Sequence, residues 1–227
     1  MLKSSSGLAE EIDSYLETLF PIHRSLTGEG NRESLRILSQ IAPIEIMEYP
    51  CGEKVFDWTI PPEWKVRDAW IKNPAGEKIV DWRDSNLHVV SYSESVQAKM
   101  TFDELAPRLH YLSENPSAIP YRTSYYNRSW GFCVSETQFR GMQEAGGTFE
   151  VYIDSDLDPN GSMSIGEIKV AGRRKDEFLI STYICHPSMA NDNLSGMLAT
   201  ALLARSMLSR ERPEYSWRYV FVPETIG

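Results

Sequence analysis

The sequence predicts an α/β protein: a parallel sheet with flanking helices, interrupted by a small β-rich insertion. Two features of the pattern carry this. Phe178 to Ile184 and Trp217 to Val222 are continuous apolar strands with a helical stretch, Leu194 to Leu208, between them. Such a strand–helix–strand unit crosses over right-handedly and leaves its strands parallel. From about residue 49 the texture then changes to short alternating runs broken by turn signals, and residues 49–132 hold five of the six tryptophans.

The elements follow in order. Leu8, Ile12, Tyr15, Leu16 and Leu19 recur at helical spacing, and Pro21 ends that helix. A polar loop from Arg24 to Asn31 turns at Thr27-Gly28-Glu29-Gly30, and a second helix carries Leu35, Leu38 and Ile41. Residues 53–60, 64–72, 78–82 and 86–92 read as strands between turns such as Cys51-Gly52 and Asn73-Pro74-Ala75-Gly76. Thr101 to Glu104 has the form of a capping box, with Leu105, Leu109 and Leu112 after it, and Ser135 to Gln138 opens a short helix. Phe149, Val151 and Ile153 alternate on one strand and Ile165, Ile168 and Val170 on another. With the acidic turn Asp154 to Gly161 between them, they read as a hairpin. The expected division is an α/β domain from 1–48 and 136–227, with 49–135 inserted.

Composition narrows the function. The 227 residues carry 23 Lys and Arg against 32 Asp and Glu, a net charge of −9. That balance argues against nucleic acid or an anionic membrane as partner, since both need clustered cations. Glu10, Glu11 and Asp13 interrupt the place of a signal peptide's apolar core, and no run of about 18 apolar residues could span a bilayer. Three scattered cysteines, Cys51, Cys133 and Cys185, suit a reducing compartment. The expectation is a cytoplasmic protein without membrane attachment. The sequence stops at Val222 to Gly227 directly behind a strand, from which a piece of a longer protein is expected.

Ligands of open parallel sheets bind at the C-terminal edge of the strands. Cys185-His186-Pro187 follows the first strand there, Ala190-Asn191-Asp192-Asn193 opens the helix, and Pro223-Glu224 follows the second strand. His186, Asp192 and Glu224 are expected to converge. An imidazole and two carboxylates form a donor set suited to zinc, and three protein ligands with an open position define a catalytic site. Singly, each has a plainer reading: a strand-end histidine, a helix N-cap and a solvated acid.

Other signals are weaker. Asp154, Asp156, Asp158 and Asn160 alternate as in a calcium loop, but Pro159 stands where such a loop needs Gly and Ile165 where it needs Glu. A nucleophilic Cys185–His186 pair is disfavoured because neighbours on a strand point to opposite faces. The Trp and Tyr cluster could line a groove for sugar or peptide, though aromatics of a small β module more often form its core. The Arg24 to Gly30 loop could bind an anion, but reads at least as well as a bare turn.

The runs Cys185-His186-Pro187-Ser188-Met189-Ala190-Asn191-Asp192-Asn193-Leu194-Ser195-Gly196 and Pro223-Glu224-Thr225-Ile226-Gly227 resemble the bacterial aminopeptidase-like family related to the zinc aminopeptidases. So do Leu19 to Gly30, Lys54 to Trp58 and Asp84 to Val89. The resemblance implies a zinc-aminopeptidase-like sheet, here incomplete, with an inserted β-rich domain. It maps a metal-binding His onto His186 and a metal-bridging Asp onto Asp192. The first acid of a Glu doublet, the general base, falls on Glu224. The doublet's second acid, a metal ligand, is replaced by Thr225, and the Asp that orients the metal-binding His is replaced by Ser188. What it implies is a hydrolase of small peptides or amides using one or two zinc ions, with Glu224 as base. In a single-zinc, glutaminyl-cyclase-like site Glu224 would be a ligand instead. The alternative is a non-catalytic binding or regulatory protein that keeps the fold, linked to polysaccharide biosynthesis. Homo-oligomerisation is compatible with either.

Overall fold

The computed structural model describes residues 5–125 and 127–223. In chain order these form α1 (Ser5–Leu19), α2 (Glu29–Leu38), β1 (Glu45–Pro50), β2 (Lys54–Val55), β3 (Trp58–Thr59), β4 (Glu63–Lys72) and β5 (Lys78–Asp81). There follow β6 (Val96–Thr101), α3 (Phe102–Leu105), β7 (Leu109–His110), β8 (Phe132–Cys133), α4 (Glu136–Ala145), β9 (Thr148–Asp158) and β10 (Ser162–Val170). The chain continues through β11 (Glu177–Tyr183), a wide turn at Ala190–Leu194, α5 (Ser195–Leu208) and β12 (Ser216–Val222).

Two compact units result, one from residues up to Glu63 together with those from Pro159, the other from Trp64–Asp158. In the first, four strands are ordered β1-β10-β12-β11. β10 pairs antiparallel with β1 and β12, whereas β11 and β12 run parallel, with Tyr183 opposite Val222. The expected strand–helix–strand unit is therefore present. Leu194 of the turn and Met197, Leu198 and Ala201 of α5 are buried with Leu19 and Leu35 of α1 and α2 and with Tyr219 and Phe221 of β12. Arg205, on the same helix, donates to both carboxylate oxygens of Glu11, at 2.8 and 3.0 Å.

The second unit holds a sheet ordered β5-β4-β9-β6, with Phe149, Val151 and Ile153 fully buried on its core face. The capping box at Thr101 and Glu104 is formed, as is one at Ser135 and Gln138.

Three expectations change. β9 and β10 make no hairpin: β9 pairs with β6 in one sheet and β10 with β1 and β12 in the other. Alternation identified both strands but says nothing of their partners. The acidic residues are not a turn either, since β9 runs to Asp158 and the chain turns only at 159–161. Residues 86–92 hold a 3-10 turn at Asn86–His88 in place of a strand, fixed by burial of Asn86 and His88 and by a 2.7 Å contact from His88 Nδ1 to the Cys133 carbonyl oxygen. The compact β-rich unit itself begins at Trp64 and ends at Asp158. The β2–β3 hairpin falls in the first unit, while pairing with β6 brings β9 into the second.

Candidate functional site

β11 delivers the chain to the sheet edge. Pairing with β12 continues one residue past the strand, where the Ile184 amide donates to the Val222 carbonyl at 2.8 Å. The backbone then turns away through Ser188, whose φ is 42°, into the Ala190–Leu194 turn and α5. Asn193 binds this turn to the strand it leaves: its Nδ2 donates to Thr182 Oγ1 at 2.7 Å and to the Tyr183 carbonyl at 3.1 Å. Gly196 makes room for it, because a Cβ there would lie 2.2 Å from Asn193 Oδ1.

Tyr183 is the centre of what this edge assembles. Its hydroxyl donates to Asp192 Oδ1, and its ring meets the His186 imidazole edge-on, centroids 5.2 Å apart at 61°. His186 and Asp192 are both half-buried. They are thus brought to one tyrosine, while Glu224, the third expected member, lies outside the described residues.

Cys185 and His186 do not point to opposite faces. Cys185 Sγ lies 2.8 Å from His186 Nδ1, because the strand has ended at Tyr183 and strand alternation no longer applies. Behind the histidine sits Arg24, fully buried, whose Nε donates to the His186 carbonyl at 3.0 Å and whose Nη1 donates to the Leu19 carbonyl at 2.6 Å. Burial pulls its guanidinium pKa down to about 10. The loop read as an anion site or a bare turn is therefore an interior support, with Ser25, Leu26 and Thr27 buried beside Arg24. Sequence reasoning missed Tyr183 and Arg24. The position of Tyr183 three residues before His186 was the available signal for the first, and the matching Leu19 to Gly30 run for the second.

The donor set can be tested against zinc. Among the described residues no group of three or more His, Cys, Asp or Glu side chains could hold a metal ion. His186 and Asp192 are chemically suitable but amount to two donors, where catalytic zinc takes three from the protein. The described residues fit part of such a site, and the sequence offers Glu224 as the next donor. The run at Asp154 to Asp158 is occupied by cations of the chain itself: Arg67 pairs with Asp154 and Asp156, and Lys65 lies 3.8 Å from Asp158.

Comparison with known proteins agrees with this architecture. A Clostridium acetobutylicum protein named for polysaccharide biosynthesis and an aminopeptidase-like domain is 46% identical over 226 residues, covering 100% of this chain and 51% of the relative. The chain thus spans about half the length of that curated relative. A crystal structure from the same organism, described as that of a peptidase, superposes with a TM-score of 0.92 at 46% identity over 98% of this chain and 52% of its own. A zinc aminopeptidase from Bacillus subtilis shares the fold at 11% identity, with a TM-score of 0.58 over 93% of this chain and 59% of its own. The fold is thus that of the aminopeptidases, and a family profile matching residues 13–227 establishes that the chain belongs to the family described as "Domain of unknown function (DUF4910)".

Proposed function

We propose that this chain supplies part of the active site of a zinc-dependent, aminopeptidase-like hydrolase of peptide or amide bonds. The contact of both His186 and Asp192 with Tyr183, at the edge where open α/β sheets bind ligands, carries the proposal. In it His186 and Asp192 would hold the metal together with Glu224 and with donors outside the span of this chain. When bound, zinc would polarise the scissile carbonyl and lower the pKa of a water toward about 7. The chain's own part is to aim the donors. The Tyr183 hydroxyl fixes one carboxylate oxygen of Asp192, three residues before α5 begins. Glu224 takes a proton from the attacking water and returns it to the leaving amine, or in a single-zinc, glutaminyl-cyclase-like site is itself a ligand. The substrate class is a small peptide or amide, turned over in the cytoplasm, and nucleic acid has no role.

One observation favours a second reading, a binding or regulatory protein of polysaccharide biosynthesis, the process for which the Clostridium relative is named. Ser188 stands where a zinc aminopeptidase orients its histidine with an Asp, and its hydroxyl donates to the Phe20 carbonyl at 3.1 Å. Metal analysis of the intact protein separates the two. The hydrolase reading expects at least one zinc per chain, its loss in His186→Ala, and turnover of aminoacyl chromogenic amides. Metal-free wild-type protein without turnover overturns it.

A further inference from the structure

A histidine that binds metal through one ring nitrogen needs a partner on the other, which fixes both tautomer and ring orientation. That partner is usually a carboxylate, a backbone carbonyl or water. Ser188 does not serve His186 in this way, since its hydroxyl is directed to the Phe20 carbonyl. The group at His186 Nδ1 is the Cys185 sulfur, 2.8 Å away and fully buried.

We propose that Cys185 is a positioning residue: its Sγ accepts a hydrogen bond from His186 Nδ1–H, which leaves Nε2 deprotonated and able to take a metal ion. The inference rests on the zinc reading of His186 and adds an orienting group to it. Two features favour sulfur as acceptor. If the thiol donated to Nδ1, the neutral ring would carry its proton on Nε2 and could not bind metal there. The buried Arg24 guanidinium also interacts electrostatically with Cys185, and a cation beside the sulfur favours electron density on it. The same Arg24 holds the His186 backbone through its carbonyl at 3.0 Å, so the imidazole and its own peptide are fixed from separate directions. Cys185 is thus a support for the candidate ligand, and its complete burial sets it apart from an accessible nucleophile.

The test uses the intact protein as wild type, Cys185→Ala and Cys185→Ser, the last retaining an acceptor oxygen. Nitrogen-15 shifts of His186 in metal-free protein report the tautomer, and competition with a chromophoric chelator reports zinc affinity. Wild type and Cys185→Ser are expected to carry the proton on Nδ1, and Cys185→Ala to shift toward the Nε2–H form. Zinc affinity is expected to fall about 10- to 100-fold in Cys185→Ala and to recover in Cys185→Ser. Unchanged tautomer and affinity in Cys185→Ala would overturn the proposal, as would Nε2–H in the wild type. If none of the three proteins binds zinc, the hydrolase reading fails, while the tautomer measurement still decides whether Cys185 orients the ring.

Discussion

Arg24 presents an unusual solution to burying a cation, because its hydrogen bonds among the described residues run to the carbonyls of Leu19 and His186 and to Ser34 Oγ, none of them to a carboxylate. Its Nη2 lacks a hydrogen-bond partner among the described residues. The cost of desolvating the charge is met by these dipoles and by the opposing pull of Cys185, which together fall short of it, and its pKa falls. Arg24→Met would relieve that cost while removing the Arg24 donor from the His186 carbonyl and from the Leu19 carbonyl, which also accepts from the Ile22 amide at 3.2 Å; a lost buried partner costs about 1–3 kcal/mol. The expected net loss is about 1–3 kcal/mol, read as a lower urea midpoint; an unchanged midpoint would show that the carbonyls find other donors. None of this was legible locally. His186 lies 162 positions away in sequence, and a loop of Arg, Ser, Thr and Gly has the composition of an exposed turn. The likeness of Cys185 to Gly196 and Leu19 to Gly30 to one family did mark both segments, without indicating that one supports the other.

At the scale of elements, periodicity revealed which segments are helices and strands far better than which strands meet. α1, α2, α5, β11 and β12 follow directly from apolar spacing, and both capping boxes form where Thr101 and Ser135 stand three residues before Glu104 and Gln138. The β9–β10 hairpin failed because partner choice depends on residues outside both strands. One of these is Arg32 on α2, whose guanidinium donates to Glu63 at 3.0 and 2.7 Å, to Glu48 at 3.1 and 3.3 Å and to Ser162 Oγ at 2.9 Å. It thereby ties α2 to the end of β1, the start of β4 and the start of β10. Glu48 stays below the usual carboxylate range: burial pushes it up, but hydrogen bonds from Ser162, Arg32 and Ser164 outweigh that. Gly161 is part of the arrangement, since a Cβ there would lie 2.3 Å from Glu63 Cβ. Arg32→Met removes the cation paired with Glu63, whose side chain is only 4% exposed and keeps a hydrogen bond from the Ser162 amide at 3.0 Å. The expected cost is about 3–5 kcal/mol, and adding Glu63→Gln should restore much of it. A double variant no more stable than Arg32→Met would show that the pairing with Glu63 is not the source of the loss.

For the whole molecule, the histidines point to an acid-labile fold. The chain has four, and three of them have lowered pKa values: His23 to about 4 by burial and the adjacent Arg24, His88 by burial against the opposing pull of the Cys133 carbonyl, Asp84 and Asp81, and His110 by burial and Arg122. His23 belongs to the first compact unit and His88 and His110 to the second, so both carry the effect. A lowered histidine pKa means that the native state resists a proton which the unfolded chain accepts. Above about pH 6.5 neither state is protonated and stability is full. Between 6.5 and 4 the unfolded state binds the extra proton, and stability falls as the solution is acidified. For His23 the loss reaches about 3 kcal/mol at the bottom of that window, since each pH unit across it costs about 1.4 kcal/mol. Below the usual carboxylate range Glu48 and Glu167, both held low by their hydrogen-bonded partners, add losses of the same sign. Urea unfolding followed by circular dichroism from pH 7.5 to 4.5 should therefore show a midpoint that declines well before carboxylates titrate. In His23→Gln the slope over the upper part of the range should flatten while that due to His88 and His110 persists. Comparing slopes avoids confusion with any constant destabilisation from the substitution, and an identical slope in the variant would mean that His23 is protonated as readily in the fold as in the open chain.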